Sequence, residues 1–87
     1  MPYVKQKDRP QIDELVTPLI EHLKSLPLEL QDGALNYAVT KTLKELYGAR
    51  YFNYNRAMGV LSCIQAEWYR RDVASYEDKK ISENDDV

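Results

Sequence analysis

The sequence is poor in the residues from which disulfides, metal sites and phosphate-binding loops are built. It has one cysteine, Cys63, one histidine, His22, and three glycines among 87 residues. A single cysteine excludes an internal disulfide, and one cysteine with one histidine supplies too few ligands for a thiolate or imidazole zinc site. Three dispersed glycines do not make a glycine-rich phosphate loop. We therefore expect neither a metal nor a cofactor.

Neither an excess of positive charge nor a long apolar run is present. Twelve Lys and Arg against fourteen Asp and Glu give a net charge of -2, which argues against general binding to nucleic acid or to anionic membranes. No stretch approaches the roughly 18 apolar residues that cross a bilayer, and the first residues lack the apolar core of a secretory signal. We expect a cytoplasmic protein with one helical domain, residues 1–81, and an acidic flexible tail, 82–87.

Apolar residues recur at helical spacing in three segments, which predicts an all-α, three-helix domain. The first helix is expected to have Asp8 as its N-cap, and Pro18, which has no N–H, should kink it or divide it. We expect residues 25–31 to connect the first two helices, Asp32 to cap the second, and Gly48 to end it in a left-handed conformation. The leucines of the connection either fold over the core or meet another chain; they are Leu26, Leu28 and Leu30.

The third helix is expected to begin after Asn53 or Asn55 and to reach about Lys80. Its length of roughly 39 Å exceeds the ~31 Å diameter of a globule of this size, so its second half needs a partner. We therefore predict a helical homo-oligomer that uses a face of this helix comprising Gly59, Ser62, Cys63, Ala66, Val73 and Tyr76. The alternative is that Gly59 accommodates the first or second helix within the monomer.

Tyrosine is abundant, with seven in the chain, and several are interleaved with asparagine and arginine. Aromatic faces stack on bases, and guanidinium groups bind phosphate or carboxylate. This composition predicts a site for a nucleotide-like anionic small molecule, formed by Tyr51, Asn53, Tyr54, Arg56, Tyr69, Arg70 and Arg71. The alternative is an ordinary interface, with Glu67 forming ion pairs to the arginines three and four residues later.

An enzyme is not expected, because no nucleophile lies near an identifiable base and His22 belongs to a helix flank. The remaining catalytic route is a magnesium site between facing carboxylate pairs, as in all-α nucleotide pyrophosphohydrolases. Two pairs have the required interval, Glu29 with Asp32 and Glu83 with Asp86. The first pair is expected to span a loop and a helix cap and the second to lie in the tail, so neither should present both carboxylates on one helix face.

Several runs carry a family resemblance that covers nearly the whole chain. They are the start Met1-Pro2-Tyr3-Val4, then Leu35-Asn36-Tyr37, Tyr54-Asn55-Arg56-Ala57-Met58-Gly59-Val60-Leu61, Glu67-Trp68-Tyr69-Arg70-Arg71 and Tyr76-Glu77-Asp78-Lys79-Lys80-Ile81-Ser82-Glu83-Asn84. With these runs the chain resembles a family of short uncharacterised proteins carried by tailed phages, prophages and some microbial genomes. The family pattern has a glycine at the position of Asp85.

The resemblance implies an accessory protein that acts in the cytoplasm of an infected cell. Small helical oligomers of that kind include proteins that sequester nucleotide signals and proteins that block host enzymes. We therefore expect a non-enzymatic homo-oligomer that binds or sequesters a nucleotide-like anion. The alternatives are an inhibitor or adaptor that binds a host protein through the aromatic surface and the 28–30 segment, and, third, a magnesium-dependent pyrophosphohydrolase.

Overall fold

The computed structural model describes residues 3–86, and within that range the chain is helical without any strand, as expected. The helices are α1 (Arg9–Ser25), α2 (Leu28–Leu46), α3 (Tyr51–Trp68) and α4 (Ala74–Asn84), with a 3-10 turn at Gln6–Asp8 and a π-helical turn at Tyr69–Val73 between α3 and α4. The chain divides into two units, one ending at Leu46 and one beginning at Tyr47. The single domain expected over 1–81 stays a prediction.

The first unit contains α1 and α2, which contact each other. Pro10 lies in the first turn of α1, where the missing N–H costs nothing. Asp8 occupies the N-cap position, but its backbone is helical and its side chain makes no capping bond, so that part of the expectation is wrong. Its N–H instead donates to the Lys5 carbonyl at 2.9 Å within the 3-10 turn. Pro18 lies inside α1 without dividing it.

The connection between α1 and α2 is much shorter than the expected 25–31, because α2 begins at Leu28, directly after Pro27. Proline disfavours helical geometry in the residue before it, and Leu26 is accordingly extended, with φ -77° and ψ 150°. The Leu30 N–H then donates to the Pro27 carbonyl at 2.9 Å. Asp32 is therefore an interior residue of α2 and not its cap.

A short link joins α2 to α3, and it differs from expectation in two respects. Gly48 follows the end of α2 but does not have a positive φ. A Cβ there would lie 3.4 Å from the Asn53 side-chain amide nitrogen, a contact that this flexible side chain can relieve. Arg50 is extended at the N-cap of α3, so the helix begins before both expected caps, Asn53 and Asn55.

The second unit is one long helix, here called the rod, which comprises α3, the π turn and α4. The backbone stays right-handed helical through both junctions of the π turn, giving a length of about 50 Å at ~1.5 Å per residue. The helix continues to Asn84 and ends at Asp85, whose φ is 64°. Positive φ suits glycine, the residue that the resemblance leads us to expect at this position. Residues 82–84 of the expected tail are thus helical, and Val87 lies outside the described residues.

None of the residues from 3 to 86 is buried, so neither unit has a core of its own. Large apolar side chains on all four helices are exposed, among them Leu15, Leu35, Trp68 and Ile81. Burial of apolar surface is the dominant force that stabilises a fold. These faces therefore need a cover that the separate units do not provide. No helix in this part of the chain is long and apolar enough to span a membrane.

Candidate functional site

The start of α3 carries a group of side chains around Arg56, here called the α3-start cluster and formed by Tyr47, Phe52, Asn53 and Arg56. The Arg56 guanidinium carbon lies 5.1 Å from the centroid of the Tyr47 ring and 5.9 Å from that of Phe52. Its Nη1 donates to Asn53 Oδ1 at 3.4 Å. A guanidinium over aromatic faces is held in place while keeping other N–H donors for a ligand. Two further expected ligand residues, Tyr51 and Tyr54, are exposed nearby in α3.

The π turn carries the second group, here called the π-turn cluster and formed by Glu67, Tyr69, Arg70 and Arg71. Arg70 Nη2 donates to Glu67 Oε1 at 2.8 Å, and Arg71 Nε donates to the same oxygen. The Glu67 side chain is only 18% exposed, whereas that of Arg70 is 68% exposed. The ion pairs weighed as the alternative are therefore present, and both arginines already have a carboxylate partner.

Two side chains at the π turn have shifted pKa values. Partial desolvation of Glu67 opposes its charge, but the hydrogen bond from Arg71 and the charges of Arg70 and Arg71 outweigh this, so the pKa of Glu67 is lowered. The Tyr69 hydroxyl donates to Glu77 Oε2 at 3.0 Å. This hydrogen bond, with the negative charge of Glu77, raises the pKa of Tyr69.

The lowered pKa of Glu67 predicts a stability that falls in acid. A carboxyl group with a depressed folded-state pKa stabilises the fold above its unfolded pKa, and this contribution is lost as the pH falls through the folded-state value. We expect Arg71→Ala to raise the pKa of Glu67 and to reduce the acid dependence of stability, as measured by carboxyl NMR titration and by melting temperature against pH. Lys41→Ala, which removes the distant ion pair to Glu45, is the control. An unchanged Glu67 titration in Arg71→Ala would contradict the assignment.

The two clusters do not form one site within a chain. Arg56 and Arg70 are fourteen positions apart on a continuous helix, about 21 Å at ~1.5 Å per residue. A mononucleotide cannot contact both ends of that interval. The seven expected ligand residues are thus brought together in two groups, and a single site containing members of both requires another chain.

Most of the expected interface residues lie between the clusters on the rod. Gly59, Ser62, Cys63 and Ala66 are exposed, and Val73 is half-buried. The other expected interface residue, Tyr76, is exposed, with Lys80 Nζ 5.5 Å from the centroid of its ring. A Cβ added at Gly59 would meet no described atom within 4 Å, so nothing in the rod itself requires a glycine there, and both interpretations of Gly59 stay predictions.

A shallow open groove lies beside these small residues. It has a volume of about 510 Å³ and is lined by Ser62, Gln65, Ala66, Trp68, Tyr69 and Val73. Its lining combines small side chains with two aromatic rings. The volume lies within the range of ligand pockets, about 300–1,000 Å³, but the groove is open to solvent and not an enclosed cavity.

The first sixteen residues of the rod are almost uncharged. In the stretch 51–66, Arg56 is the one charged residue. Met58 and Val60 are both exposed, although two positions correspond to about 200° around a helix and so to nearly opposite sides. A helix that is apolar on all sides is normally buried. This part of the rod therefore needs cover on more than one side.

Sequence reasoning missed a larger open groove in the first unit, between α1 and α2. Its volume is about 860 Å³, and its lining includes Leu19, His22, Leu23, Tyr37, Ala38 and Lys41. The available signal was the pair of small residues Ala34 and Ala38, four positions apart on α2, which line the groove together with the α1 leucines. His22 therefore lies beside a groove whose lining is mostly apolar.

The carboxylate pairs also differ from expectation. Glu29 and Asp32 both belong to α2, three residues apart and hence on one helix face, whereas we expected a loop and a cap. Glu83 belongs to α4, and Asp86 lies beyond the end of that helix. Within residues 3–86, no group of three or more His, Cys, Asp or Glu side chains could hold a metal ion.

Fold and surface together define a small all-α protein with an exposed helical rod whose first sixteen residues are nearly uncharged. The chain belongs to the family described as a domain of unknown function, DUF6899, whose match covers residues 1–87. No curated protein and no solved structure matches the chain. The expectation of an uncharacterised family covering the chain is confirmed, and the phage setting stays a prediction.

Proposed function

We propose that this chain is a non-enzymatic binding protein that works as a homo-oligomer assembled through its rod. The observation that carries this proposal is the exposure of the large apolar side chains of the almost uncharged α3, all except the half-buried Leu61 and including Trp68 at 64%. Sedimentation velocity tests the assembly directly. A single 10 kDa species at several hundred micromolar would contradict it.

The proposed ligand is a nucleotide-like anionic small molecule. Support comes from the chemistry of the two clusters: the Arg56 guanidinium lies over the Tyr47 and Phe52 rings, and Arg70 and Arg71 follow the exposed Tyr69 in the chain. Arg70 presents most of its surface to solvent despite its bond to Glu67, so it retains donors for a phosphate oxygen. Arg56 is held against two rings, which reduces the entropy lost when it binds.

Calorimetry with ADP, ATP and cyclic di-adenosine monophosphate tests the ligand. A charged hydrogen bond contributes about 1.5–3 kcal/mol, so we expect Arg56→Ala and Arg70→Ala each to weaken binding about 10- to 100-fold. Lys24→Ala, an exposed charge in α1, is the matched control and should bind like the unmodified protein. Binding to none of these nucleotides, or equal binding by all variants, would contradict the ligand. Turnover of ATP with magnesium would contradict the non-enzymatic role.

A second candidate is an inhibitor or adaptor that binds a host protein. Leu28, at 79% exposure, and Leu30 present a leucine-rich first turn of α2 to solvent, and an apolar helix face is a common protein-docking surface. For either candidate, the resemblance suggests that the chain is a phage-type accessory protein and that it acts in the host cytoplasm. Loss of a recovered host protein after Leu28→Asp, with nucleotide binding absent, would favour this candidate.

A further inference from the structure

The rod exposes enough apolar surface for a second copy to cover. On the side of the small residues 59, 62, 63 and 66, and within the stretch that a second rod can reach, the large side chains Phe52, Met58 and Tyr69 are 52–70% exposed. At about 100 Å² each they amount to roughly 300 Å²; a standard interface takes ~800 Å² from each partner, so the smaller side chains of the same face have to contribute the rest. The longest helix of the first unit, α2, has 19 residues and measures about 29 Å. It can therefore cover little more than half of the rod, and then on one side only.

The position of the small residues selects a register. In an antiparallel helix pair, residues equally far from the two-fold axis lie opposite each other. An axis between Ser62 and Cys63 places Gly59 opposite Ala66 of the partner subunit, and Ser62 opposite Cys63 of the partner subunit. Small side chains at these four contacts allow the helix axes to approach to about 8 Å.

The same register brings the two clusters together. Arg56 lies at the level of Tyr69 of the partner subunit, and Asn55 lies at the level of Arg70 of the partner subunit. Phe52 likewise reaches the level of Val73 of the partner subunit, beside the shallow groove that Val73 helps to line. The residues that are about 21 Å apart in one chain therefore meet between two chains, once at each end of the pair.

Charge favours the antiparallel arrangement over a parallel one. In a parallel pair, each charged residue of the π turn and α4 would lie beside its own copy, and like charges at close range are destabilising. In the antiparallel register, residue 51 lies opposite residue 74, so most of α4 extends past the partner. Its charged side chains, which include Lys79, Lys80 and Glu83, then stay in water.

From these observations, and resting on the proposed anion-binding function, we infer that two rods pair antiparallel about an axis between Ser62 and Cys63, and that each anion site is completed by the partner chain. Arg56 of one chain and Arg70 of the partner subunit form the cationic walls of that site. Two guanidinium groups at the same level repel each other, so a phosphate group between them binds both and tightens the dimer.

Cysteine cross-linking tests the pairing. In a Cys63→Ser background, Gly59→Cys and Ala66→Cys chains are oxidised separately and as a mixture. The mixture is expected to form a 59–66 disulfide dimer, because these positions lie opposite each other. Each chain alone should form little, since like positions are about 10 Å apart along the rod and a disulfide needs Cα atoms within about 7 Å. Stronger linking of Gly59→Cys alone would indicate a parallel pair, and no linking in any sample would exclude the rod as the interface; either result overturns the inference.

Mixing two weakly binding variants tests the shared site independently of the cross-linking experiment. An Arg56→Ala chain paired with an Arg70→Ala chain has one doubly defective site and one intact site. With ADP and cyclic di-adenosine monophosphate as probes, the mixture should recover up to about a quarter of the sites, since half of randomly mixed dimers are mixed pairs. Recovery of none, when the unmodified protein binds, would place the site within one chain and overturn the shared site. Binding of neither probe by the unmodified protein overturns the proposed ligand and the shared site, while cross-linking still decides the pairing.

Discussion

Replacing Ala66 by glutamate is expected to weaken self-association at least about 100-fold. In the proposed register the substitution puts a carboxylate opposite Gly59 of the partner subunit, directly before the like-charged Glu67 and four residues before Arg70, which already donates to Glu67. Burying an unpaired charge costs several kcal/mol, and about 2.7 kcal/mol already corresponds to a 100-fold change in dissociation constant. Sedimentation velocity over a concentration series measures the change directly.

Ser82→Glu is the matched control for this substitution. It adds the same charge to the same rod, at an exposed position of α4 that lies beyond the end of the partner in the proposed register. Its dissociation constant should stay within about twofold, because exposed charge pairs contribute little. Equal association by Ala66→Glu and the unmodified protein would mean that this face of α3 is not covered in the assembly.

Much of the helical architecture could be predicted from apolar spacing, but the helix starts could not. The capping rule favoured Asp32 and Asn53, since short polar side chains accept N–H bonds at helix starts. In the structure the extended backbone of Leu26 and Arg50 sets both starts, and at the first of them Pro27 forces that geometry. Side-chain capping is one way to begin a helix, and the chain uses backbone geometry here instead.

The residue types of the candidate site could be predicted from the sequence. The distance between its two arginine groups could also have been predicted. Arg56 and Arg70 belong to one predicted helix, so their distance along the axis follows from the number of residues between them. The π turn at Tyr69–Val73 is different, because no proline or glycine marks it in the sequence. The turn is wider than an α-helical turn and rotates the residues that follow about the helix axis. The position of Tyr76 around the axis therefore differs from the one that a regular helical period predicts.

The apparent melting temperature is expected to rise with protein concentration. If folding and assembly are one process, each thousandfold increase in concentration stabilises the dimer by about 4 kcal/mol. For a pair of chains with about 170 residues in total, that corresponds to roughly 10 °C. We expect this dependence because no residue between positions 3 and 86 is buried. The apolar faces of the separate units are then covered only when two chains associate. Calorimetric scans between about 1 µM and about 1 mM measure the shift.

Ala66→Glu supplies the comparison that separates assembly from intramolecular packing. If the rod faces of two chains stabilise each other, this variant should melt at a lower temperature and show a weaker dependence on concentration over the same range. Ser82→Glu should follow the unmodified protein, because α4 carries its charges into solvent in both. A melting temperature of the unmodified chain that does not change with concentration would mean that the apolar faces are covered within one chain, and the rod would then be an internal element of a monomer.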